Sequence, residues 1–207
     1  MTSDLIGFQC VEDWMGTEYL TLRDVLPERP RAMIVGLNPS PVSVEAGHYY
    51  QGRVGQRQLR RLASVGLFAL LDGARTFEDA AAASGVGFTD IVKRPTVGEK
   101  DLVAGELEHG RGLLTQKLEA LGVPLVVCVF RHPVEALLGR GVAGGPGLQL
   151  ARTDWGARVF RMPGPFETPA RADLVMAELH RVGEQRWTSS DLSFKASGLS
   201  LSRTSGG

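Results

Sequence analysis

The chain has 207 residues, 43% of them hydrophobic, which suits one domain with a proper core, or one domain plus a tail. Its 23 basic and 23 acidic residues balance, so a nucleic-acid partner would have to meet a locally concentrated basic face. The two cysteines, Cys10 and Cys128, exclude a disulfide framework, a four-cysteine zinc site and a four-cysteine iron–sulfur cluster.

Residues 1–30 read as a lead-in that ends in the breaker-rich Pro27-Glu28-Arg29-Pro30. The opening stretch carries acids and no apolar core, so no signal peptide is expected. No apolar run approaches the ~18 residues of a membrane span, and a soluble cytoplasmic protein is the expectation. Residues 32–37 form a short apolar run that stops at Asn38-Pro39-Ser40-Pro41, a buried strand feeding a loop. Residues 56–65 predict a helix with Leu59, Leu62 and Val65 on one face. A second, short helix is predicted over 76–84, with Thr76 as its cap.

Residues 85–92 predict an extended segment, ended by Pro95. Residues 101–121 have helical periodicity despite Gly105, Gly110 and Gly112. The continuous apolar run 125–130 marks a strand covered on both faces, with Cys128 as a buried core thiol. A short helix over 133–138 follows, then a loop over 143–147. Residues 158–162 predict another strand, 163–169 a proline-rich loop, and 170–184 the last helix. This alternation argues an α/β fold, a three-layer α/β/α sandwich around a short, mostly parallel sheet. Residues 31–187 form its domain, and the Ser- and Gly-rich 188–207 read as a flexible tail.

In such sheets ligands bind beyond the strand carboxyl ends, where the loops at Asn38, Asp90 and Pro163 would open. Asn38 either fixes a small ligand or water, or closes a turn onto its own backbone. Tyr49 and Tyr50 offer a stacking platform for a planar base, or else one is core and one surface. Asp90, flanked by apolar residues, is expected to be partly buried with a raised pKa suited to general-base work. Its alternative is a cap or a partner to Lys93 or Arg94. The stiff loop 163–169 could push a side chain such as Phe166 into a duplex, or merely connect. Arg53, Arg57, Arg60 and Arg61 fall near one helical edge and form either a phosphate-facing stripe or a solvated face. The histidines show no metal-ligand spacing.

Taken in order, several segments resemble the mismatch-specific uracil-DNA glycosylase and thymine-DNA glycosylase family. They are Gly36-Leu37-Asn38-Pro39, Gly47-His48-Tyr49-Tyr50 with Gly52, and Phe88-Thr89-Asp90-Ile91-Val92-Lys93-Arg94-Pro95-Thr96. Lys100-Asp101-Leu102, Gly110-Arg111, Met162-Pro163 and Ala170-Arg171 complete the set, which spans residues 32–182. The resemblance implies a uracil-DNA glycosylase-like fold and a monofunctional DNA glycosylase. Such an enzyme flips out and hydrolyses uracil, with thymine or other damaged bases as further candidates, and leaves an abasic site.

It implies that Asn38 positions the hydrolytic water and that Tyr50 stacks on the extruded base. Leu37 would line the pocket, with Ser40 and His48 grouped beside the base. Arg171 and the 163–169 loop match the element that plugs the duplex, with Phe166 as an alternative wedge. No metal and no cofactor are implied. The partner would be DNA carrying a G·U or G·T pair, duplex or single-stranded, and the protein a monomer. A non-catalytic damaged-DNA-binding module on the same fold is the alternative. A small-molecule hydrolase using Asp90 ranks behind it, for want of a Gly-x-Ser-x-Gly nucleophile motif.

Overall fold

The computed structural model describes residues 4–103 and 105–197. A five-stranded sheet is the frame. Its strands are β3 (Ala32–Gly36), β4 (Val86–Asp90), β5 (Leu125–Cys128), β6 (Gly147–Arg152) and β7 (Arg158–Arg161). They lie in the order β4-β3-β5-β7-β6. Every residue of β3, β4 and β5 is buried, as continuous apolar strands between two helical layers must be. β4, β3, β5 and β7 run parallel, so their carboxyl ends share one edge.

Strand alternation divides the core. Ile34, Phe88, Val127 and Phe160 face α2 (Arg53–Ser64), α3 (Glu78–Ala83) and α6 (Pro169–Ser197) through Leu59, Leu62, Ala81, Met176 and Leu179. Met33, Val35, Val126, Cys128 and Val159 face α4 (Glu106–Ala120) and α5 (Arg131–Leu138) through Leu114, Leu118 and Val134. The three-layer sandwich expected from the sequence is present. Cys128 is the buried thiol expected of it, pushed up by desolvation.

The lead-in holds more order than its composition suggested. β1 (Gln9–Trp14) and β2 (Thr17–Leu22) pair antiparallel, joined by Met15 and Gly16, both at positive φ. Trp14 is buried and its Nε1 donates to Glu106 Oε1 at 3.0 Å, docking the hairpin on α4. Glu106 also accepts from Arg94 at 2.8 and 2.7 Å and from the Val103 amide at 2.8 Å.

Other boundaries shift for identifiable reasons. Thr76 does not cap α3: its N-cap is Phe77, whose amide donates to Glu78 Oε2 at 3.0 Å. The helix expected from residue 101 starts at Glu106, because Gly105 sits at φ 86° and separates it from a 3₁₀ turn, Glu99–Asp101. β6 was not expected; it is an antiparallel edge strand, with a register irregularity and a fully exposed Leu150. The last helix runs past the expected end at Glu184 to Ser197. It takes in the first part of the segment read as a tail, and 198–207 lie outside the described residues. Among the described residues no helix is long and apolar enough to cross a membrane.

Candidate active site

The site begins at a glycine. Gly36 ends β3 and is paired with Asp90, which ends β4. A β-carbon on Gly36 would meet Asp90 Oδ1 at 2.0 Å and the Tyr50 hydroxyl at 2.8 Å. Only the missing side chain lets a carboxyl and a phenol converge over the strand end. Gly36→Ala is expected to lower stability by about 1–3 kcal/mol, because strand-held groups must give way; thermal unfolding reads the loss, and an unchanged midpoint would mean the seat is loose.

Tyr50 is held in turn by its backbone and its neighbours. It adopts φ 57°, unusual for a non-glycine residue. The following amide, of Gln51, donates to Ser43 Oγ at 3.1 Å. A β-carbon on Gly55 would strike Tyr50 Cβ at 2.8 Å and its backbone at 2.9 Å, so α2 needs a glycine where the Tyr50 main chain passes. The Tyr50 ring lies 6.2 Å from that of Phe88. Its hydroxyl is buried and makes no hydrogen bond among the described residues. Burial, and then the nearby Asp90 charge, keep the phenol protonated far above its ordinary range.

These groups open into a cavity of about 240 Å³ at the strand carboxyl ends, whose wall includes Asn38, Ser40, Tyr50, Asp90 and Phe130. Asn38 follows β3 by two residues. Its Nδ2 donates to Pro39 O at 3.1 Å, Thr96 O at 3.2 Å and Thr96 Oγ1 at 2.8 Å. Carbonyl oxygens only accept, so the amide nitrogen must face them. That leaves Asn38 Oδ1 as an acceptor with no protein partner among the described residues. Asp90 is only 5% exposed. Burial pushes its carboxyl up to about 7, Lys93 pulls it down and Asp24 pushes it up further. A carboxyl that titrates there holds or releases a proton near neutrality.

The remaining residues singled out in the sequence fall in three places. Ser40 is on the wall, and caps α1 (Pro41–Ala46) by accepting from the Ser43 amide at 3.3 Å. Leu37 and His48, grouped with the base-binding residues, are off the wall. Leu37 is buried and gives its carbonyl to the Val92 amide at 2.9 Å. Gly47 at φ 71° and Tyr50 at φ 57° turn the chain twice, so His48 packs edge-on to Phe8 and lies 3.4 Å from Glu78.

Tyr49 is the core member of the tyrosine pair, stacked on Phe88 at 5.2 Å. Arg53 and Arg57 line a broad open groove of about 780 Å³ with Arg60, Arg61 and Arg75. Arg57 also donates to Pro165 O and lies 5.9 Å over the Phe166 ring, so α2 grips the 163–169 loop. Phe166 itself is exposed. Arg171 is exposed too, 3.6 Å from Glu167.

Sequence reasoning missed Gly36, Thr96 and Phe130. Thr96 was visible as the last residue of the third motif, but its bonds to Asn38 cross from one loop to another. Phe130 was read as the end of a strand; it falls two residues past β5, on the cavity wall.

A family model for the uracil DNA glycosylase superfamily matches residues 23–179. The chain belongs to that superfamily. The matched span runs from the segment bearing Asp24 to Leu179 in α6 and includes Asn38, Tyr50, Asp90 and Phe130. The superfamily's fold and the observed sheet agree: α/β, with a mixed, mostly parallel set of five strands. Superfamily members are generally DNA glycosylases, which makes DNA the partner and N-glycosidic hydrolysis the activity class.

Proposed function

We propose that this protein is a monofunctional DNA glycosylase of the mismatch-specific uracil/thymine type. It excises uracil, with thymine or other damaged bases as further candidates, from mismatched DNA, without metal or cofactor. The observation that carries this reading is the convergence of Asn38, Asp90 and Tyr50 on one cavity at the strand ends.

The duplex must first surrender the base, at a cost of a few kcal/mol that is lowest for a mispair. The arginine groove beside the cavity gives the backbone phosphates a cationic track. Exposed Phe166 and Arg171 are the candidates to fill the gap left in the stack. In the cavity the base lies against the Tyr50 ring. Asn38 Oδ1 accepts a hydrogen bond from a water and aims its oxygen at the sugar's anomeric carbon. The carbon–nitrogen bond breaks through an oxocarbenium-like state, and its electron pair leaves with the base. The water oxygen bonds to that carbon and its proton passes to Asp90.

The test is a labelled duplex with a single G·U pair, treated with enzyme and then alkali, beside G·T, A·U and single-stranded substrates. Strand scission from G·U, and less from A·U, is expected. Tight binding with no scission over hours would leave a damage-sensing module in place of an enzyme.

A further inference from the structure

Asp24 lies outside the cavity, on the segment between β2 and β3. Its side chain is 11% exposed, and it takes the ammonium of Lys93 on Oδ1 and that of Lys117 on Oδ2. Lys93 follows Asp90 by three residues and is almost wholly buried. Its backbone carbonyl is pinned by Thr21 Oγ1 at 2.6 Å, and its Nζ lies 3.5 Å from Thr89 Oγ1. One buried ammonium thus sits near two carboxyls. It makes a hydrogen bond with Asp24 and acts on Asp90 only through space.

We propose that Asp24 is a positioning residue, which holds the Lys93 ammonium on the hairpin side of β4 and so denies Asp90 a contact ion pair. The proposal rests on the reading of Asp90 as proton acceptor. A carboxylate paired with a buried lysine is a weak base, because the ammonium stabilises its charged form. Without the Asp24 charge, the carboxyl left to hold the buried Lys93 ammonium is Asp90, three residues before it at the end of β4. Glu12 also acts on Lys93, from β1. Among the described residues, the other titratable groups acting on Asp90 are Tyr49 and Tyr50, and burial keeps both phenols neutral through the physiological range. The hairpin thereby acquires a part in the chemistry, through the segment that follows it.

The experiment follows the Asp90 carboxyl directly, by pH titration of its ¹³C resonance in the full chain, beside the pH profile of G·U excision. In Asp24→Asn the Asp90 midpoint is expected to fall by about one pH unit or more, and the acid limb of excision to move with it. The fall should be larger than the one Asp24→Asn causes in a Lys93→Met background, where only the lost repulsion from Asp24 acts, and equal falls in the two backgrounds would overturn the proposal. Asp24→Glu should restore the wild-type midpoint. An unmoved midpoint in folded Asp24→Asn would overturn the proposal. A midpoint that falls while the excision profile stays put supports Asp24 as the positioning residue and removes Asp90 as proton acceptor. Should Asp24→Asn fail to fold, Asp24→Asn with Lys93→Met deletes the pair as a neutral unit. Its Asp90 midpoint is expected within about half a pH unit of wild type, and a larger move would overturn the proposal.

Discussion

Asn38→Ala is expected to slow uracil excision by about 10³-fold while duplex affinity changes little. The amide nitrogen is spent on protein: three acceptors, on Pro39 and Thr96, fix the side-chain plane. The oxygen is what remains for the reaction. On the proposed mechanism its partner is the attacking water, which matters only once the glycosidic bond has begun to break, so the loss falls on the rate and not on binding. Holding a nucleophile in line is worth several kcal/mol of barrier, which sets the scale of the effect. Single-turnover kinetics on a G·U duplex measures the rate, and fluorescence anisotropy on the same duplex measures affinity. A variant that cuts at the wild-type rate would take Asn38 out of the reaction. One that cuts slowly because it no longer binds would make it a docking residue.

The readable parts of the sequence are those where local pattern and tertiary role coincide. The runs at Ala32–Gly36 and Leu125–Cys128 are apolar throughout, and each is buried on both faces. Asp90 stood out because a carboxyl between apolar neighbours has few places to go but a strand end. The hairpin β1–β2 was illegible because its turn is Met15-Gly16, without the usual Asn or Asp. Cross-strand partners Val11 and Leu20 also both face solvent, against the expected alternation. His48 was grouped with the base through the matching Gly47-His48-Tyr49-Tyr50 segment, and the left-handed turns at Gly47 and Tyr50 bring it against Phe8 and Glu78. Gly36 carried no signal of its own. Its role exists only once β3 and β4 are in register and Asp90 lies across the vacant β-carbon position.

Asp90→Asn is expected to move activity and stability in opposite directions. In the folded chain burial pushes the carboxyl from an ordinary 3.8 up to about 7, although Lys93 opposes the shift. Below pH 4 folded and unfolded chains both hold the proton, and Asp90 costs nothing. Between about 4 and 7 the unfolded chain releases its proton while the folded chain keeps it, so stability drains away as pH rises. Each pH unit in that window is worth about 1.4 kcal/mol, so the loss approaches a ceiling of about 4 kcal/mol above pH 7. Asparagine has no proton to lose. The variant should therefore unfold at a higher temperature than wild type at pH 8.5 and at nearly the same temperature at pH 4. Excision should fall by about 10²-fold or more, the usual worth of a positioned base. The wild-type acid limb near pH 7 should vanish with it. Thermal melts at the two pH values and a single-turnover pH profile check both halves. Wild-type activity in the variant would leave Asp90 as a structural carboxyl. Equal melting temperatures at pH 8.5 would mean that water or Lys93 already solvates its charge. If both effects occur, the chain keeps at its catalytic cavity a group that weakens the fold at the pH where it works, a trade common at sites built for function over stability.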